Sequence, residues 1–323
     1  MTVARRRCRR RDDEGMLVSC GFLTFGAHTR RGHRHVVNAD AWLGYVPGST
    51  QEFVHRGALF AVAEGVPPVG TPAASRRVLD QLFRAWWSAR DRTPTAGLVG
   101  AIRAANADLH VLRDDELPDA LARVLVIVAT PTVLAVARVG TARAFLVRNG
   151  QVLCLTGEPV YSAGDGLAPA VGWHPDVGVQ VAEIPLACGD AIFLCSTGVN
   201  DALNPPDLFR AAALPSAEHA ATSLVDPIEW ACGGEDRTVM AVRVEHLPAA
   251  PAITAGVERS SRSIRARQVA GARARQVDPR PHARADGAKR WHRQAGVRAA
   301  TRAIGGLSAA AWVVAWLLAM AGR

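Results

Sequence analysis

His28, His33, His35 and His55 are the side chains best suited by type to hold a transition metal, because a neutral imidazole nitrogen is a good ligand. Their spacing matches no recognisable metal motif. The six cysteines (Cys8, Cys20, Cys154, Cys188, Cys195, Cys232) show no C-x-x-C spacing, and several sit inside apolar runs. They read as reduced, mostly buried small hydrophobes. There is no G-x-S-x-G turn, no phosphate-binding glycine loop ending in Lys-Ser or Lys-Thr, and no zinc-knuckle spacing. Any chemistry must come from residues far apart in the chain that the fold brings together.

The elements that would do so fall within residues 16–247, the length of one large domain. VSCGFLTFG (18–26) and GALFAVAEG (57–65) read as strands. Between Thr71 and Arg90, Val78, Leu79, Leu82, Phe83 and Trp86 recur at helical spacing, and Leu98, Ile102, Ala105, Leu109 and Leu112 repeat the stripe in a second helix. Strand-like runs follow at 123–130, 132–140, 142–148 and 151–156. Asn149-Gly150 between the last two is a hairpin signal, since both turn positions need positive φ, and Pro131 marks another tight connection. Strands joined this closely must be antiparallel. A glycine- and proline-rich loop (157–177) precedes strands at 177–184 and 190–196, a helical region after Pro206 and a last strand at 237–244. The pattern predicts an α+β domain with helices covering antiparallel sheets.

Charge divides the chain. The first eleven residues carry +6, residues 258–302 carry +10 and Arg323 adds one, so of the net +9 the remainder, 12–257, holds −8. The basic character belongs to the tails, which argues against a nucleic-acid-binding domain. One lysine against 37 arginines reads as the codon bias of a GC-rich bacterial genome. Residues 248–302 are poor in aromatic and β-branched side chains and read as a disordered arginine-rich linker. Residues 303–322, AIGGLSAAAWVVAWLLAMAG, carry no charge and as a helix cover about 30 Å, enough for a transmembrane anchor. Beside such an anchor, 258–302 becomes an orientation signal and a contact for anionic lipids, with the folded domain cytoplasmic at the inner membrane. The tail at 1–15 has arginines but no apolar core behind them, so it is not a secretory signal.

Five segments in order resemble the type 2C (PPM-type) metal-dependent serine/threonine protein phosphatases: GAHTRRGHRHVVNADAW, ALFAVAEGVPPVGTPAAS, VARVGTARAFLVRNGQVLCLT, CGDAIFLCSTGVNDAL and GGEDRTVMAVRV. The resemblance spans roughly residues 20–246 and implies a four-layer αββα sandwich, two antiparallel sheets flanked by helices. It also implies a site in which carboxylates hold two Mg²⁺ or Mn²⁺ ions that acidify an attacking water, since such ions prefer hard oxygen ligands. At the matching positions the family glutamate is Ala39, while Asn38 and Asp40 remain. The phosphate-binding arginine is His35, with Arg34 beside it. The metal-bridging aspartate is Glu64, followed by the expected Gly65, and Pro67-Pro68 replaces the glycines after it. Two further aspartates are Thr141 and Thr197, with Arg143 kept. The last aspartate survives as Asp236, followed by Arg237.

Three carboxylates are thus lost, and each missing charge 4 Å from a cation is worth about 4 kcal/mol at an effective dielectric of 20. The resemblance therefore implies a degenerate, catalytically impaired member that binds no metal tightly. It would act as a binding or regulatory module in bacterial Ser/Thr phospho-signalling, with a kinase or phosphoprotein as partner. Asp40, Glu64, Gly65 and Asp236 form the residual metal positions, and His35 and Arg34 the phosphate contacts. The alternatives are a single-metal site on Glu64, Asp236 and a carbonyl, an active phosphatase with Mg or Mn in a remodelled site, and a structural role in which Asp40, Glu64 and Asp236 bind backbone groups or Arg143 and Arg237.

Overall fold

The structure is a computed structural model that describes residues 16–19, 21–66, 72–89, 93–115, 120–157, 168–200, 202–228, 234–248 and 275–277. In chain order the elements are β1 (Met16–Ser19), β2 (Leu23–Arg30), β3 (Ala41–Tyr45), α1 (Thr50–Arg56), β4 (Ala58–Gly65), α2 (Pro72–Ser88), α3 (Pro94–Asp115), β5 (Ala122–Ala129), β6 (Val133–Val139), β7 (Arg143–Arg148) and β8 (Gln151–Cys154). They continue with β9 (Gln180–Pro185), β10 (Ala191–Cys195), α4 (Thr197–Asn200), α5 (Pro205–Ala212), α6 (Ala217–Val225), β11 (Arg237–Val244) and the short β12 (Arg275–Val277).

Two sheets result, ordered β1-β2-β11-β10-β7-β8-β12 and β3-β4-β5-β6-β9, with every pairing antiparallel. Both faces of the central strands are covered, which is why they read as unbroken apolar runs. In β4, Leu59, Ala61 and Ala63 pack with Val78, Leu79 and Leu82 of α2 and Leu98 and Ile102 of α3. The alternate residues Ala58, Phe60 and Val62 meet Phe25, Met240 and Val242 of the other sheet. The two-residue period of a strand produces this division. α6 lies against β2 and β11, on the seven-stranded sheet. The sequence-predicted α+β class and antiparallel sheets are present.

The hairpin between β7 and β8 turns at Asn149 (φ +50°) and Gly150 (φ +74°), as the Asn-Gly pair predicts. The single strand expected at 18–26 is instead two strands, β1 and β2, folded back on each other through Gly21 at φ +82°. The sequence reading also missed β3 and α1. Among the described residues no helix is long and apolar enough to cross a membrane. The expected anchor at 303–322, the basic tail at 1–15 and Pro67-Pro68 lie outside the described residues, as does the linker at 248–302 apart from Pro248 and β12.

Candidate functional site

The two-residue alternation of β4 places Glu64 on the face between the sheets, at their mouth. Around that end gather Gly65, Asp40 just before β3, Thr141 in the turn from β6 to β7, Thr197 opening α4, and Asp236 just before β11. Residues from both sheets, remote in sequence, therefore share one site.

Glu64 is 5% exposed. Its Oε1 accepts the Thr197 N–H, and its Oε2 accepts the Thr197 hydroxyl at 2.8 Å. Thr197 Oγ1 lies 2.7 Å from Thr141 Oγ1. A hydroxyl has one proton, and that of Thr197 goes to Glu64, so Thr141 donates to Thr197. The two threonines at the lost aspartate positions thus form a hydrogen-bonded chain ending on the one acid across from them.

Asp236, 4% exposed, is engaged in a different way. Its Oδ1 accepts the Gly32 N–H and its Oδ2 the Ala39 N–H, each at 2.7 Å. The carboxylate clamps both ends of the 32–39 loop, which is further tied by Arg34 N–H to the Gly234 carbonyl (3.2 Å) and by Arg31 Nη1 to the His35 carbonyl (2.7 Å). Such charge-assisted bonds are stronger than neutral ones. His35 Nδ1 sits 2.8 Å from Asp236 Oδ2, an ion-pair distance, but the ring nitrogen makes no aligned hydrogen bond there. His35 Nε2 is 3.5 Å from Glu235 Oε2, and Arg34, largely exposed, lies 3.9 Å from Glu235 Oε1. Both of the expected phosphate-contact residues therefore stand beside acids.

Asp40 completes the acidic group. Its Oδ2 accepts the Thr238 hydroxyl at 2.7 Å, and its N–H donates to Asn38 Oδ1 at 3.0 Å. The residue keeps some exposure, but its carboxyl is turned inward. Burial, then the neighbouring Glu64 and to a smaller extent Asp236, hold this carboxyl well above the usual carboxylate range, against the opposing hydrogen bonds of Thr238 and Ser196.

The four histidines do not converge. His28 bonds Asp226 Oδ1 through Nε2 (3.0 Å), while His33 and His55 are exposed. Sequence reasoning missed two arginines on the same inter-sheet face, Arg123 directly opposite Glu64 on β5 and Arg138 on β6. Arg138 is fully buried, with Nε to Gln180 Oε1 (2.9 Å), Nη1 to the Ala142 carbonyl (3.2 Å) and Nη2 to the Gly157 carbonyl (2.8 Å). The available signal was a charge at an inward position of an otherwise apolar strand.

The sequence matches no family model, and comparison with curated proteins gives no match. Solved structures do match. The catalytic domain of the serine/threonine protein phosphatase PstP, in complex with 2 manganese ions, aligns with a TM-score of 0.59 at 21% identity, over 70% of this chain and 99% of that one. PppA of Pseudomonas aeruginosa, described as a key regulatory component of T6SS, aligns with a TM-score of 0.58 at 18% identity, over 71% and 100%. The PPM phosphatase MsPP of Mycobacterium smegmatis, in complex with cacodylate, gives 0.56 at 23%, over 69% and 99%. The fold is that of the PPM-type, or type 2C, serine/threonine phosphatases.

The side chains at this end do not fit a pair of divalent ions. Both oxygens of Glu64 and both of Asp236 already accept hydrogen bonds, and threonine hydroxyls stand where the resemblance places two aspartates. Among the described residues no group of three or more His, Cys, Asp or Glu side chains is placed to hold a metal.

Proposed function

We propose that this chain is a catalytically impaired relative of the type 2C phosphatases, acting as a binding or regulatory module in bacterial Ser/Thr phospho-signalling. The observation that carries the reading is the Thr141–Thr197–Glu64 chain. It gives the acid at the bridging position two donors from the protein itself, and puts hydroxyls where two metal-binding carboxylates would stand. With Asp236 holding the 32–39 loop, a pair of metal ions would compete with four hydrogen bonds to carboxylates, each worth about 1.5–3 kcal/mol. Lost anions and engaged oxygens act in the same direction.

The partner class is a kinase or phosphoprotein, met by the domain at 16–247. The domain would be held at the inner face of the membrane by the anchor at 303–322, with 248–302 as linker and its arginines on anionic lipids. A second reading, an active phosphatase with Mg or Mn in a remodelled site, draws on the crowding of Asp40, Glu64 and Asp236, whose mutual repulsion a cation would relieve. Hydrolysis of a phosphoserine peptide by the full chain in millimolar Mn²⁺, with Glu64→Ala and Asp236→Ala as controls, separates the two. Absence of turnover is the expected result; turnover lost in both variants establishes the second reading.

A further inference from the structure

The outer edge of β8 and a repeat in the linker have no place in the function just described. β8 pairs with β7 on one side and with β12 on the other, in the register Arg275↔Cys154, Gln276↔Leu153 and Val277↔Val152. Where the β7–β8 pairing continues past Cys154, the Leu155 N–H donates to the Ala144 carbonyl at 2.8 Å. Antiparallel ladders alternate, so Leu153 and Gln151 also turn their N–H and C=O groups toward β7, and those of Val152 and Cys154 point to the outer edge. These two are the residues opposite Val277 and Arg275. An open edge of this kind takes up a strand through backbone bonds, and the residue types along that strand set which segment fits.

β12 is the last part of Arg-Ala-Arg-Gln-Val, residues 273–277, and the same five residues occur eight positions earlier, at 265–269. Exchanging one copy for the other would set Arg267, Gln268 and Val269 opposite Cys154, Leu153 and Val152, the same residue type at every paired position. Both copies reach. From β11 to the β12 position is four strand spacings, about 19 Å. The eighteen residues 249–266 span up to about 60 Å when extended. Closing a loop of these eighteen, against the twenty-six of 249–274, favours the first copy by a factor of only about 1.7. The −8 of residues 12–257 and the +10 of 258–302 draw the linker to the domain without distinguishing the copies.

We propose that the outer edge of β8 is a docking site for this chain's own linker, and that the two Arg-Ala-Arg-Gln-Val copies exchange on it. The bonds are those of the backbone, and none is covalent. With the second copy docked, 25 residues (278–302) separate the strand from 303–322; with the first docked, 33 residues (270–302) do. Exchange therefore passes eight residues from one side of the docked strand to the other and sets the length of free linker in two steps.

The test is hydrogen exchange on the full chain in mild detergent, read at the Val152 and Cys154 amides. Wild type is compared with Arg267→Pro, Arg275→Pro and the double variant. Proline at either position removes the N–H that faces Cys154 and so disables that copy alone. Expected are protection in the wild type and a fall of no more than about threefold in each single variant, because the other copy takes the edge with comparable weight. The double variant should lose about tenfold or more. Wild-type amides that exchange like free ones, a single variant that matches the double one, or a double variant still protected overturns the proposal. Protection that rises with protein concentration assigns the edge to a second chain's linker and overturns docking within one chain. The amides of β11, paired to β2 and β10, report in the same experiment that each variant keeps its fold.

Discussion

Replacing Thr197 by valine keeps the shape of the side chain and removes one hydroxyl. That hydroxyl gives its proton to Glu64 Oε2 at 2.8 Å and accepts from Thr141 at 2.7 Å. The first loss is a hydrogen bond to a nearly buried carboxylate, about 1.5–3 kcal/mol. The second leaves the Thr141 hydroxyl without its acceptor, about 1 kcal/mol more. The backbone N–H of Thr197 still bonds Oε1, so the acid is not stranded entirely. The net expectation is about 3 kcal/mol of destabilisation, which in a domain of this size lowers the melting temperature by about 6–12 °C. Thr197→Ser retains both roles of the oxygen and should stay within about 1 kcal/mol of wild type. Urea unfolding of the three proteins in EDTA measures the differences directly, with the slope checked for constancy. A valine variant as stable as the serine variant would refute the claim that the Thr141–Thr197 chain engages Glu64.

Asp236→Ala should release the 32–39 loop, raising amide exchange at Gly32 and Ala39 and costing about 3 kcal/mol, because two backbone N–H groups lose a carboxylate. Asp190, buried, is gripped by Arg148 through two bonds of 2.6 Å and accepts the Ala187 N–H at 2.9 Å. Asp190→Ala should cost about 3–5 kcal/mol in a denaturant melt. Asp226 is held below the usual carboxylate range: partial burial alone would raise it, and the hydrogen bonds and charges of His28 and Arg30 outweigh that. A depressed acid contributes stability that is present above its unfolded value and is lost as pH falls through the folded one. The acid limb of the wild-type stability profile should therefore be steeper than that of Asp226→Asn.

The long elements were legible because their burial is simple. β4 and β5 are covered on both faces and appear as continuous apolar runs, and Asn149-Gly150 could only be a tight turn. β3 was missed because Gly44 interrupts it. That glycine, which reads as a loop residue, is required where a Cβ would lie 2.5 Å from the Phe25 ring. α1 has seven residues and one buried side chain, Phe53, too little to show a stripe, although its cap, Ser49 accepting from the Glu52 N–H, was written in the sequence. At the site, the departures at Ala39, Thr141 and Thr197 could be read one position at a time. That the two threonines meet each other and Glu64 depends on segments 56 and 133 residues apart in the chain, which no local pattern encodes. The inward arginines, Arg123 and Arg138, were visible as charges but acquire meaning only once β5 and β6 are in register.

The central claim is that this end of the fold is complete without metal. Calorimetric titration of the full chain with Mn²⁺, beside melting curves in EDTA and in excess Mn²⁺, tests it most directly. No saturable heat and an unchanged melting temperature are predicted, since a ligand that binds the native state at a hundredfold excess over its dissociation constant would add about 2.7 kcal/mol. Two bound ions per chain, lost on Glu64→Ala or Asp236→Ala, would contradict the account.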